Sequence, residues 1–435
     1  MNKFKNKLFD MFDNYLFAIL LLMTATINAM LIIKDDYQGL VIADSGIKIV
    51  LSLIYGGIIA TVIGLLLKYK KFKQDYLLYL MAPVTMLLIY FLVLKDINAA
   101  SNIVKYLLLS MATIAAYFII PYFKNKEDSD YFTYKVILAL ITTGLIYLIS
   151  ILGIGAILKA LIILFDINIA SVIYTEIFIF ILGFIMPSVF FLMINDQDKR
   201  EAYPQLIINI INYIVMPVMA IYTIILYAYG IKILINWSFP TNVVGYLVMI
   251  YAIISLIILY FTKNMTLKPL VNKFLNIYPY LLMVPMLMML ASFMIRIGAY
   301  GITESRYFGL LTFILVIGTI IILRELKQVK YMLYLLIILL LIATCGPLSS
   351  SSLSKYSQGK RIEAILKRNN MLNDNNIIVN KNVSLRDQNQ VIQILEYYEA
   401  NYSFKDLKML PRDFDMTKVD EVFGFYYPVY ITTQK

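Results

Sequence analysis

The chain has 435 residues, 61% of them hydrophobic, a formal net charge of +11 and no histidine, with a pI of about 9.2 and a mean hydropathy of +0.78. Soluble domains are only about 45–50% apolar, so a water-soluble globule is excluded. The basic side chains scatter through links instead of gathering on one face, which argues against nucleic acid; Cys345 is the single cysteine, which excludes an internal disulfide, and without histidine or a thiolate cluster no metal or cofactor is expected.

From the first residue to Cys345 the chain reads as about 11 long apolar segments separated by short charged links. A hydrocarbon layer about 30 Å thick needs about 20 apolar residues per helix, and a helix satisfies its own backbone within one segment. The expected fold is an all-α polytopic membrane protein with about 11 transmembrane helices, followed by a small C-terminal α+β extramembrane domain. In residues 1–14, Phe4, Leu8, Met11 and Phe12 recur at helical spacing opposite Lys3, Lys5 and Lys7, as in a basic amphipathic segment lying at the bilayer surface. The membrane domain, 15–345, opens with an uncleaved span at 15–33, too long for a signal-peptide core. Spans follow at 49–67, 76–94, 106–120, 134–158, 172–194, 206–230, 243–261, 280–295, 308–323 and 331–345. Lys159 interrupts the apolar run after Gly153, so a helix end followed by a short interfacial helix is expected there.

Lys and Arg in alternate links total 17 on the side of the amino end and 8 on the other. Positively charged loops stay in the cytoplasm. The reading is therefore a multi-pass protein of the cell membrane with a cytoplasmic N-terminus and, after an odd number of spans, an extracytoplasmic C-terminus.

The region 346–435 changes character, with 12 basic and 10 acidic side chains from residue 349 onward. The run Ser349 to Ser352 reads as a flexible exit from the membrane. A helix is expected over 358–368, a strand over 377–379, and a second helix after Ser384 and Asp387, which have capping-box spacing. That helix carries Val391, Ile394, Leu395 and Tyr398; a last helix is expected over 417–425.

Ionisable groups near spans are costly and point to sites. Lys159 and Glu176 flank one outer link, where they either pair or each reach the headgroups alone. The densest polar feature is the outer turn Arg296-Ile-Gly-Ala-Tyr300-Gly301-Ile-Thr303-Glu304-Ser-Arg306-Tyr307. Gly301 permits a tight reversal and Thr303 is placed to cap the next helix. Two arginines around one glutamate either form a closed network or leave a guanidinium for an anion. Gln205, Asn209 and Asn212 form a polar stripe that avoids lipid. Pro83, Pro187, Pro217 and Pro285 fall inside spans, where proline is ordinary or marks a broken helix. Neither a Walker loop, an HExxH helix nor a GxSxG elbow occurs, so no catalytic residue is assigned.

The turn Tyr300-Gly-Ile-Thr-Glu-Ser-Arg-Tyr307, with Arg296-Ile before it, resembles the signature of a bacterial multi-pass family known as domain of unknown function 4153. Gly346-Pro347 followed by Ser354, Ser357-Gln358 and Arg361 is similar to that family's exit from its last span. Tyr227-Ala-Tyr229, Trp237 and Pro240 are similar too. Leu348 stands where the family tends to an aromatic, and Ser238 and Phe239 separate a Trp and Pro that are usually adjacent. The resemblance implies a membrane protein and provides no catalytic residues.

On this reading the protein transports or senses a small solute or envelope component at the outer face, where Glu176, Arg296, Tyr300, Glu304 and Arg306 would converge beneath the tail. Its partners would be the lipid bilayer and a protein recruited by the C-terminal domain. The alternatives are a membrane-embedded transferase using Glu304 as base and a scaffold acting through the tail.

Overall fold

The computed structural model describes residues 2–38, 44–70, 76–123, 126–165, 170–194, 205–236, 242–262, 265–326, 328, 330–373 and 376–425. Trp237, Ser238, Phe239 and Pro240 lie outside the described residues. Each of the eleven apolar segments coincides with helix. Nine helices are long and apolar enough to cross a membrane, and two shorter apolar stretches, Leu77–Val93 and Lys330–Thr344, accompany them among the described residues. Large apolar side chains also face outward, Ile235 being 76% and Leu234 68% exposed. In water such a surface would aggregate; in a bilayer it faces its own solvent. The chain is a multi-pass helical membrane protein.

The first half contains α1 (Asn2–Tyr37), α2 (Asp44–Lys70), α3 (Met81–Leu88), α4 (Ala100–Ile119), α5 (Lys126–Phe165), α6 (Ser171–Phe180) and α7 (Met186–Ile194). The second contains α8 (Gln205–Ile210), α9 (Met216–Asn236), α10 (Asn242–Thr262), α11 (Pro269–Tyr300), α12 (Glu304–Ile321) and α13 (Lys330–Thr344). In the first half α1 lies along α2, which it approaches closely because Gly64 sits under the carbonyl of Asn14. Tyr15 stacks on Phe191 of α7 at 4.8 Å. In the second half Phe293 of α11 wedges between Gly245 of α10 and Gly309 of α12. Helix α13 packs on α4 and joins the halves, with Leu108, Ala112, Tyr307, Leu340 and Ala343 buried at the seam.

Several local expectations change. α1 runs unbroken from Asn2, so the amphipathic stretch is the beginning of the first span's own helix. α5 is one helix of 40 residues through Lys159, about 60 Å long; lysine is a good helix former and a single charge does not stop a helix. Pro187 and Pro217 do not break their helices. Each lies two residues after a π-helical turn, Ile181–Ile185 and Ile211–Val215, which is how a helix absorbs a missing donor without ending. Asn212 is buried, and its side-chain oxygen accepts the backbone N–H of Lys268 at 3.2 Å, at the start of α11. Gln205 bonds Asn209 at 3.1 Å. Of the polar stripe, Asn212 ties its helix to the start of α11, while Gln205 and Asn209 are exposed and bond each other within α8.

After α13 the chain forms α14 (Ser350–Arg368), a two-stranded antiparallel hairpin of β1 (Leu372–Asn373) and β2 (Asn376–Ile377), α15 (Leu385–Asn401) and α16 (Val419–Phe423). Ser349 caps α14, its hydroxyl accepting the N–H of Ser352 at 3.3 Å. The serine run is therefore the first turn of a helix, with Ser350 and Ser351 buried, and not a flexible exit. Ser384 caps α15 through the N–H of Asp387 at 3.2 Å, as its spacing predicts. Ile362, Leu366, Ile394, Leu395, Val419 and Phe423 are fully buried in a core that this segment builds from its own helices.

Candidate functional site

α11 ends at Tyr300, and Gly301 reverses the chain with φ +68°, a conformation that an L side chain rarely adopts. A Cβ there would also come within 2.8 Å of the Ser357 hydroxyl and 3.0 Å of the Gln358 amide nitrogen. The reason is that α14 lies directly on the turn. Ser357 Oγ accepts the N–H of Ile302 at 2.7 Å, and Gln358 Nε2 donates to the carbonyls of Tyr300 and Ile302, both at 2.9 Å. Gln358 is only 2% exposed. The Tyr307 hydroxyl donates to the Leu348 carbonyl at 2.9 Å, which ties the Gly346-Pro347 exit to α12. Gly346 itself has φ +81°, and its carbonyl accepts from Ser352 Oγ at 3.1 Å. Thr303 occupies the N-cap position of α12, yet its hydroxyl bonds Ser305 Oγ at 3.1 Å and no backbone N–H.

Glu304 is 7% exposed. Its carboxylate accepts the Tyr402 hydroxyl at 2.8 Å, and its backbone N–H donates to the Tyr397 hydroxyl at 3.1 Å. Burial, reinforced by neighbouring Tyr397 and Glu304, pushes the Tyr402 hydroxyl far above the ordinary phenol range, and burial raises Tyr397 too. Tyr402 therefore stays a proton donor to the carboxylate at any physiological pH. Lys105 of α4 and Lys355 of α14 lie within electrostatic reach of Glu304. Lys355 pairs with Asp406 at 2.6 Å and sits 5.0 Å from the centre of the Tyr402 ring. One carboxylate at the start of α12 thus meets groups from α4 and α14 and the tyrosine that ends α15.

The arginines go elsewhere. Arg306 donates to the Gly301 carbonyl at 2.5 Å and the Tyr300 carbonyl at 3.4 Å; Arg361 of α14 donates to the Tyr300 carbonyl at 3.4 Å. Their guanidiniums lie 5.8 and 5.4 Å from the centre of the Tyr300 ring, within cation–π range. Arg296 is within electrostatic reach of Arg306.

Of the residues singled out from sequence, Tyr300 and Glu304 meet the C-terminal segment directly, Arg306 lies within electrostatic reach of its Tyr397 and Arg361, Arg296 stands beside Arg306, and Gly301, Thr303, Gly346 and Pro347 shape the two bends. Glu176 does not join them. It lies on α6, which packs against α1, and among the described residues it forms no ion pair with Lys159 or with this turn. Lys105, Lys355, Tyr397 and Tyr402 belong to the cluster and carried no usable signal. Tyrosines on an amphipathic helix look alike whether they bury against their own core or reach another element.

The fold and this junction define a polytopic helical membrane protein whose C-terminal helices are bonded to a turn between two spans. The chain belongs to the family described as Domain of unknown function (DUF4153), which it matches over residues 15–386. It is also similar to an uncharacterized protein, PM1469, of Pasteurella multocida (strain Pm70), at 30% identity over 180 residues. That match covers 40% of this chain and 30% of the relative, so the chain spans less than a third of that protein's length in the alignment. No solved structure matches.

Proposed function

We propose that this is an inner-membrane protein, N-terminus cytoplasmic and C-terminal segment extracytoplasmic, that senses a small solute or envelope component at the junction of the α11–α12 turn with α14 and α15. The observation that carries this reading is the shared carboxylate of Glu304, 2.8 Å from the Tyr402 hydroxyl and within reach of Lys105. A change in how the C-terminal segment sits is thereby felt by α12 and by α4, the helix at the seam between the halves. A transferase with Glu304 as base is less well supported, because that carboxylate is 7% exposed and already occupied by a tyrosine donor. The test is complementation of a chromosomal deletion under envelope challenge. Glu304→Gln and Arg306→Ala should reach wild-type membrane abundance and fail to complement. Full complementation by both, or collapse of abundance in both, would overturn the sensing site, the second result making the turn purely structural.

A further inference from the structure

We infer that Arg306 and Arg361, with Arg296 behind them, form a binding site for a phosphate-bearing anion that bridges the α11–α12 turn and the C-terminal segment. Three guanidiniums gather at the end of α11, where Arg306 is within electrostatic reach of both Arg296 and Arg361. The acid next to them in sequence, Glu304, is turned away onto Tyr402. Among the described residues no carboxylate is hydrogen-bonded or ion-paired to Arg306 or Arg361. Their partners are backbone carbonyls at the end of α11 and the face of Tyr300.

Capping the negative end of one helix accounts for a single cation at a surface. It does not account for the state of Arg361. That side chain has five donors, makes one long bond of 3.4 Å, and keeps its Nη2 atom buried with no partner. A buried charged donor atom left without a partner is costly. Like charges raise that cost, and burial together with Arg306 already depresses the Arg361 guanidinium below its ordinary value. An anion between the two forks removes both penalties. Planar guanidiniums match the oxygens of a phosphate two at a time, and Tyr300, 47% exposed, holds the forks on its ring. The position also fits: the end of a membrane-spanning helix is where lipid phosphates lie, and where a water-borne phosphate arrives.

Since Arg306 is on α12 and Arg361 on α14, the anion would fasten one to the other. This inference places a ligand class in the sensing site proposed above, and the two fail separately, because one is read by binding and the other by complementation. The experiment uses the full chain, purified in a maltoside detergent and stripped of lipid. Its thermal midpoint and the protease resistance of 350–425 are followed against inorganic phosphate and, separately, in nanodiscs of phosphatidylglycerol. A rise with inorganic phosphate assigns the site to the free ion. A rise only with the lipid assigns it to a headgroup. In either case Arg361→Gln should abolish the rise, and Arg361→Lys, which keeps the charge and loses the fork, should weaken apparent binding about tenfold. Arg386→Gln, removing an exposed charge of α15 outside the cluster, should leave the rise intact. Absence of any rise in the wild-type protein, or equal losses in Arg361→Gln and Arg386→Gln, would overturn the inference.

Discussion

Asp387 shows how a side chain contributes to the acid stability of the C-terminal segment, where Glu363, Asp413 and Asp415 are also held below their ordinary values. Burial alone would raise the Asp387 carboxyl, but hydrogen bonds from Asn369, at 2.8 Å, and from Arg368 hold it below the usual aspartate value of 3.8. The folded state therefore binds its proton less readily than the unfolded chain, and stability rises with pH through that range. The contribution is complete above the unfolded value and disappears as pH falls through the folded one. Thermal unfolding of the segment should lose stability steeply below about pH 4, and Asp387→Asn should flatten that acid limb while lowering the midpoint at neutral pH. At the same scale, Ser384 and Gly301 were readable from sequence because each acts within a few residues of itself: one caps the helix that follows, the other takes a φ that other residues avoid. The contacts of Gln358 and Tyr402 were not, since they reach partners 56 and 98 residues away.

At the scale of elements, the close approach of α1 to α2 rests on the missing side chain of Gly64. A Cβ there would collide with the carbonyl of Asn14, a backbone atom that cannot rotate aside. Gly64→Ala should separate the two helices and lower stability by about 1–3 kcal/mol, read as a drop in thermal midpoint and in folded yield from the membrane. Gly153→Ala is the matched comparison. Gly153 lies in α5 with nothing within 4 Å of the added atom, so alanine should be neutral or should stabilise the helix by up to about 1 kcal/mol. A loss for Gly153→Ala equal to that for Gly64→Ala would show that the packing of α1 on α2 is not the cause. Hydropathy cannot separate these glycines, because both sit in equally apolar helices. It equally left open whether the prolines break helices, and π turns before Pro187 and Pro217 answered that the helices continue.

For the whole molecule, the proposed orientation can be read with no engineered residue. Cys345 is the single cysteine of the chain and is exposed, at the turn between α13 and α14. If the C-terminal segment is extracytoplasmic, a membrane-impermeant maleimide should label it in intact spheroplasts as fully as after detergent lysis. Labelling only after lysis would place that end in the cytoplasm and remove the proposed outer site. Hydropathy alone determined that the chain threads a bilayer, because the cost of moving polar backbone into hydrocarbon depends on composition over about 20 residues and on little else. It also ranked residues by depth, which is why the Arg296 to Arg306 turn and Glu176 were assigned to one boundary. Depth is one coordinate, however, and says nothing of position around the bundle. Only the tertiary structure decided that α6 packs against α1, that α4 and α13 close the seam, and that tyrosines of the C-terminal segment reach Glu304. Those contacts join residues far apart in the chain, and their energies depend on shape and hydrogen-bond geometry that no local run of residues encodes.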